Sequence, residues 1–353
     1  VATTAALLDL TSIMSRAEEV RFDIVDVSGV KVGTLQPVAP AQISNDATQQ
    51  IKRRLSNLLI TSSDYASVNP LAHRIKPYWV LENADELPLG LFMFADASSQ
   101  RYSYGLTMTA TLVDQGLILT QELGTSLSFA AGTTASEAIT QTVQAAGIFT
   151  ASIASTQYTL GSPIAWPAGK TGTTYAKVLD DLCLKAGYHS PYFSNSGTLI
   201  IREATNLSTA TAAYNYVDGG RIIAGSMVES NDLLNAPNRF LVVDTAATTG
   251  AVTYEYLIPS TAPHSFEYRG FYVTKTVEAP GVGNVEQARS VAEAYYSQTP
   301  QAYEIAAFSS PADPRHDTFD VINYRGTNYL EIGWSLTCGP GGPMNHKLSR
   351  VYL

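Results

Sequence analysis

Residues 102–113 read Tyr-Ser-Tyr-Gly-Leu-Thr-Met-Thr-Ala-Thr-Leu-Val. In an extended chain Tyr102, Tyr104, Leu106, Met108, Ala110 and Leu112 face one way, and Ser103, Gly105, Thr107, Thr109 and Thr111 the other. A strict period of two, with one apolar and one hydroxyl-rich face, predicts a strand laid on a core. The residues before it continue in the same texture. Short strands are expected at 78–81 and 89–94, with Pro70 and Pro77 bracketing a loop. Residues 21–27 and 30–35, joined at Ser28-Gly29, read as a hairpin. Residues 50–60 fit two periods: Ile51, Leu55 and Leu59 are four apart, and Ile51, Arg53, Leu55, Asn57 and Leu59 share a strand face.

After Gly116 the texture changes, and an internal repeat emerges. Gly132-Thr133-Thr134 leads to Ala146-Gly147, and Gly172-Thr173-Thr174 leads to Ala186-Gly187 at the same distance. Each copy predicts a short helix. In the first, Thr134 is the N-cap with Glu137 three residues on, Ile139 and Val143 form the apolar stripe, and Gly147 supplies the left-handed stop. In the second, Val178, Leu179, Leu182, Cys183 and Ala186 recur at helical spacing before Gly187. A hairpin follows, with Tyr192-Phe193, a turn at Ser196-Gly197 and a strand at 198–202. From Gly220 the chain returns to β, with strands expected at 238–244, 252–258 and 271–277. One helix interrupts them: Asn284 caps it with Gln287 three on, Val285, Ala288, Val291, Ala292, Tyr295 and Tyr296 share a face, and Thr299-Pro300 ends it. The tail has Phe319–Val321, a turn at Arg325-Gly326, and Leu330, Ile332, Trp334 and Leu336 alternating with Glu331, Gly333, Ser335 and Thr337. A glycine-rich loop at 339–343 and a closing strand at 348–353 complete it. The fold class is a β-rich α+β one.

The 353 residues suffice for two or three cores. Hydrophobic residues make up 45%, but charged ones only 15%, against roughly 25% in an ordinary soluble protein. A surface polar without being ionic suits a chain largely covered by neighbouring subunits; a secreted or merely Thr-rich soluble protein is the alternative. The net charge is −9, with no basic block, which argues against gripping nucleic acid. Cys183 and Cys338 permit at most one disulfide, and Cys183, among leucines, reads as a buried thiol. Residues 1–13 lack a basic leader and a small-residue cleavage pattern, so no signal peptide is expected. Residues 138–169 carry no charge but are rich in Thr, Gln, Ser and Pro, which excludes a helical span, and a soluble protein is expected.

Candidate chemistry is sparse. Ala168-Gly169-Lys170-Thr171 resembles the end of a phosphate-binding loop, but Ile164 stands where that motif needs glycine; a turn before the second repeat helix is the plainer reading. His73, His189, His264, His316 and His346 never pair at helical or hairpin spacing, which argues against a metal site. Asp313-Pro314-Arg315-His316-Asp317 is the densest polar cluster, expected to be a solvated loop entering the strand at Phe319. The adjacent pairs Glu18-Glu19 and Asp180-Asp181 diverge by about 100° on a helix and make no acid/base pair. Lys52-Arg53-Arg54 reads as cations guarding a strand edge, or as a contact to an acidic neighbour. No catalytic, cofactor-binding or metal-ligating residue is assigned, and no enzyme activity or cofactor is expected.

Three stretches together resemble the hub proteins of tailed-phage baseplates, including the hub portion of tail-associated lysins and minor tail proteins. They are Leu89-Gly90-Leu91-Phe92-Met93-Phe94 with the alternating strand ending at Asp114, residues 177–187 with the Ser196-Gly197 hairpin, and Ala292, Tyr295 and Tyr296 through Asp313 to Val321. In element order the resemblance covers most of the chain. It implies two tube-like β-barrels (1–115 and 216–353), an α+β domain between them (116–215), and a helix-bearing insertion at about 245–300 in the second barrel. It further implies a homotrimer in the virion tail tip, assembled in the host cytoplasm. That trimer would join a six-fold tail tube to a three-fold tip, with tail tube and distal tail proteins, the tape measure protein and tip or fibre proteins as partners. DNA would pass its channel without specific binding. Any lytic domain would be absent or lie outside this chain. The alternative is a receptor- or carbohydrate-binding protein of the same virion, for which the twenty tyrosines speak.

Overall fold

The hydroxyl-rich alternation does build a central strand, Gly105–Asp114, in which Met108, Ala110 and Leu112 are buried and Thr109 is exposed. The computed structural model describes residues 18–81, 86–102, 105–244, 253–298 and 302–352. Tyr102 belongs to the preceding strand, Phe92–Tyr102, which pairs antiparallel with Gly105–Asp114 and sets Tyr102 opposite Gly105; Ser103 and Tyr104 lie outside the described residues. The 50–60 ambiguity resolves as the strand Arg53–Thr61, because its flanks Ala41–Asp46 and Gly105–Asp114 take both of its hydrogen-bonding edges. Pro77 lies within the strand Arg74–Leu81 rather than closing a loop.

These strands belong to one 14-stranded sheet. Its main path runs Val228–Asn231, Glu304–Pro311, Pro343–Arg350, Thr327–Cys338, Ala41–Asp46, Arg53–Thr61, Gly105–Asp114, Phe92–Tyr102, Arg74–Leu81, Glu18–Val25, Lys31–Leu35. The seam between the two β regions is the antiparallel pairing of Ala41–Asp46 with Thr327–Cys338, from Ala41 opposite Cys338 to Asp46 opposite Gly333. Alternation explains it: Ala41 and Ile43 on one strand and Trp334, Leu336 and Cys338 on the other face a single core with Leu55, Leu112 and Phe92. Each fully buried Ile, Leu or Phe among them contributes roughly 1.5–3 kcal/mol. The sheet does not close into a barrel among the described residues, and Lys31–Leu35 and Val228–Asn231 lie at its ends.

The repeat in residues 132–187 forms two helices of 11 residues, Ala135–Ala145 and Tyr175–Lys185, packed on each other. Their caps match. Thr134 Oγ1 accepts from the Glu137 N–H at 3.3 Å and Thr174 Oγ1 from the Lys177 N–H at 3.2 Å, each bond worth about 1 kcal/mol. Gly147 and Gly187 end them at φ of +79° and +71°. These helices, with Phe193, Leu199 and Ile201, make a core of their own. The helix Val285–Gln298 starts where expected, the Asn284 side chain accepting from the Gln287 N–H at 2.9 Å; its expected stop at Thr299-Pro300 lies outside the described residues. It packs on the small sheet of Arg239–Val243, Thr253–Leu257 and Thr274–Glu278, and against the second repeat helix.

Candidate functional site

The segment 312–320, which links the strands Glu304–Pro311 and Val321–Tyr324, is not a solvated loop. Asp313, His316, Thr318 and Phe319 are all buried. Asp313 is held by Arg315, whose Nε and Nη2 donate to its two carboxylate oxygens at 2.8 and 2.6 Å. Phe319 adopts φ +62°, a left-handed conformation costing of order 1 kcal/mol in a non-glycine residue. The surroundings fix it there: His189 stacks on its ring at 4.1 Å, Tyr192 meets it edge-on, and its N–H donates to the Glu331 carbonyl at 3.1 Å.

Side chains from the first β region, the α+β middle and the second β region converge on this loop. Arg53, 1% exposed, donates through Nη2 to Asp317 Oδ1 at 2.5 Å and through Nη1 to Asn195 Oδ1, and lies over the Trp334 ring. Asn195 Nδ2 donates to the Pro314 and His316 carbonyls at 3.3 and 3.0 Å. Arg202 donates to the Thr318 and Phe319 carbonyls, and Asn45 Nδ2 to Thr318 Oγ1 at 2.7 Å. The Lys52-Arg53-Arg54 run therefore guards no edge. Arg53 is buried at the start of a central strand, Lys52 is buried just before it, and only Arg54 is exposed.

The histidines also assemble in a way their spacing concealed. His316 and His346 flank Glu331, with Nδ1 atoms 2.7 Å from Oε2 and 2.6 Å from Oε1, and all three side chains are wholly buried. Glu331 was expected on a polar strand face. A bulge between Glu331 and Gly333 and burial of Tyr329 through Trp334 place it inside instead. Burial depresses the His316 imidazole, but the facing carboxylate more than reverses this and its pKa sits above the ordinary value. Burial raises Glu331, and the two imidazoles bring it below its ordinary value. His346 stays lowered, burial outweighing the Glu331 contact. Tyr214 stacks on His316 at 3.8 Å and Phe308 on His346 at 4.6 Å.

The other sequence candidates separate. Gly169 turns at φ +73° and the Gly172 N–H donates to the Glu122 carboxylate at 3.1 Å, so this turn directs an amide at a side chain of its own protein. Glu18 and Glu19 lie on a strand, not a helix. Asp181 pairs with Lys185, while Asp180, its pKa raised by burial, lies near Lys52, which is lowered by burial. Cys183 and Cys338 are unpaired and buried. A polar cleft of about 540 Å³, lined by Tyr158, Glu203, Asn206 and Glu293 among others, holds none of the sequence candidates. An exposed aromatic group, Phe266, Tyr268, Phe271 and Tyr272, surrounds the short helix Phe266–Arg269, with Phe266 stacked on Tyr272 at 4.5 Å. No helix among the described residues is long and apolar enough to cross a membrane.

No family model matches this sequence, and no curated protein sequence is similar to it. Solved structures are similar over almost the whole chain. A tail protein from Neisseria meningitidis MC58 superposes with a TM-score of 0.63 at 11% identity, covering 95% of this chain and 96% of its own. The 43 kDa tail protein of prophage MuSo2 from Shewanella oneidensis gives 0.62 at 12%, covering 94% and 98%. The prophage tail protein gp18 from Listeria monocytogenes EGD-e gives 0.58 at 10%, covering 94% and 95%. The chain has the fold of these phage tail proteins.

Proposed function

We propose that this chain is a structural hub of a phage tail tip. The observation that carries this reading is the end-to-end match with tail proteins, in which neither partner has a large unmatched part. In the finer form, residues 1–115 and 216–353 are two related barrels, and 116–215 and the helix-bearing part of 245–300 are decorations between and upon them. Three copies then present six similar units to a six-fold tube and a three-fold face to the tip, each unit turned by about sixty degrees from the next so that the ring closes. The two sheet-end strands, Lys31–Leu35 with Val32 exposed and Val228–Asn231 with Val228 exposed, have edges unpaired among the described residues, which suit pairing with neighbouring subunits. An acidic, sparsely charged ring repels passing DNA instead of binding it. The role needs no catalysis, and Asp313, His316 and Asp317 each already hold a side-chain or backbone partner.

Negative-stain imaging of the purified protein, with its mass in solution, tests the proposal. A three-fold ring with a central hole is expected; a particle of any other symmetry refutes it. The exposed Phe266, Tyr268, Phe271 and Tyr272 favour a second reading, a glycan- or receptor-binding tail protein, because aromatic faces stack on sugars. Glycan-array binding lost in Tyr268→Ala, without ring formation, selects that reading.

A further inference from the structure

We infer that His316, Glu331 and His346 form a closed structural site for a first-row divalent metal of the zinc class. The two imidazole Nδ1 atoms and the carboxylate lie within 4.8 Å of one another, with no exposed side chain among them. The outer nitrogens are held as metal-bound histidines usually are. His316 Nε2 lies 3.0 Å from the Tyr216 hydroxyl, and His346 Nε2 lies 2.8 Å from Ser310 Oγ. Stacking by Tyr214 and Phe308 fixes both ring planes.

The convergence of ligand atoms carries the argument. Glu331 faces both imidazoles at once, Oε2 toward His316 Nδ1 at 2.7 Å and Oε1 toward His346 Nδ1 at 2.6 Å, so the 312–320 loop and two strands bring three ligand groups to one dry point. The ring edges turned away from that point already have hydroxyl partners. A divalent ion there would take both Nδ1 lone pairs and the carboxylate at once, with both Nε2–H groups donating to the hydroxyl oxygens.

Two imidazoles and a carboxylate suit zinc better than magnesium or calcium, which prefer oxygen ligands throughout. Zinc ligands stand roughly 3.4 Å apart in a tetrahedron, so the observed nitrogen–oxygen pairs spread by less than about 1 Å on binding. With both Glu331 oxygens on the ion the three residues would supply four ligand atoms, and with no solvent access the ion would be a staple between the 312–320 loop and the strands Thr327–Cys338 and Pro343–Arg350, and not a hydrolytic centre.

The test uses the full chain with any histidine tag removed. Metal content is measured by mass spectrometry before and after incubation with zinc chloride, and melting is followed with zinc or with EDTA. About one equivalent of zinc per chain is expected, with a melting point several degrees higher in zinc than in EDTA. His264→Gln, altering a buried histidine that packs among Tyr296, Tyr303 and Tyr352, keeps both effects, and His346→Gln, whose amide still donates to Glu331, loses both. Zinc below a tenth of an equivalent after incubation, or the same zinc response in His346→Gln, overturns the site. Failure here leaves the hub reading intact, since ring formation is measured separately.

Discussion

Replacing Asp317 by Asn should cost more than replacing Arg53 by Met, although both remove the same ion pair. The asymmetry follows from burial: the Arg53 side chain is 1% exposed and that of Asp317 is 26% exposed. Asp317→Asn leaves a guanidinium locked under the sheet, over Trp334, without its anion; an uncompensated buried charge costs about 3–5 kcal/mol. Arg53→Met leaves a carboxylate that water reaches and that still accepts from the Thr318 N–H at 2.7 Å. The methionine fills much of the vacated space, and the main loss is the donor to Asn195, so about 2 kcal/mol is expected. In the double variant neither charge remains, and its cost should fall short of the sum by at least about 1.5 kcal/mol. Urea unfolding of the four proteins, followed by tryptophan fluorescence and circular dichroism, gives the cycle. Equal costs for the two single variants, or a coupling below about 0.5 kcal/mol, would refute the claim that this pair is held as a buried charge.

His189 accepts the Thr205 N–H at Nε2 (2.9 Å), and burial, with Arg202 nearby, pushes its pKa down to about 3. Because the unfolded imidazole titrates near 6.5, stability is full above that pH and falls below it, by about 2 kcal/mol at pH 5; His189→Gln should flatten this slope in urea titrations between pH 7 and 5, and an unchanged slope rejects the assignment. A methyl group at Gly161 would meet Gly283 Cα at 2.4 Å, where its own N–H donates to the Gly281 carbonyl, whereas one at Gly132 (φ +84°) meets nothing. Gly161→Ala should therefore cost over about 2 kcal/mol and Gly132→Ala about 1 kcal/mol, the reverse order in thermal melts being the contrary result. Burial raises the Cys338 thiol to about 12 and Cys183 well above its ordinary value, so neither should react with a disulfide reagent until the protein unfolds; rapid modification of the native chain would contradict the packing.

Local rules made much of this fold legible. The Thr134 and Thr174 caps, the stopping glycines and the Asn284 cap depend only on residues a few positions apart, and all lie where the pattern places them. The strand at 105–114 was readable because one of its faces is buried and the other is not. The reading failed wherever burial came from both sides or from far along the chain. Glu331 sits in a strand whose two faces are covered around it, so alternation assigned it to the wrong environment. Arg53 lies 264 residues from Asp317 and 142 from Asn195, and no periodicity links them. His316 and His346 are brought together by the pairing of three strands, which a search at helical or hairpin spacing does not test. The signal that could have exposed the site is negative: a carboxylate inside an otherwise apolar run, where an unpartnered charge is too costly to stand alone.

The seam between the β regions constrains any assembly built from this chain. A hub of two separate barrels on a linker would let their mutual rotation vary, and a closed ring would have to set that angle through contacts between subunits. Here six residue pairs of one ladder, from Gly333–Asp46 to Cys338–Ala41, join the regions within each chain. Arg53, Asn195 and Asp317 tie the 312–320 loop across that seam to the helical middle. Buried polar networks add little to net stability compared with apolar packing, but they tolerate only one arrangement, since any slip strands a charge. Rotation of one β region against the other would break ladder hydrogen bonds and unpair Arg53 together. The angle between the regions is therefore fixed when the chain folds. If six such regions form the proposed ring, its symmetry is carried in each subunit before a second copy arrives.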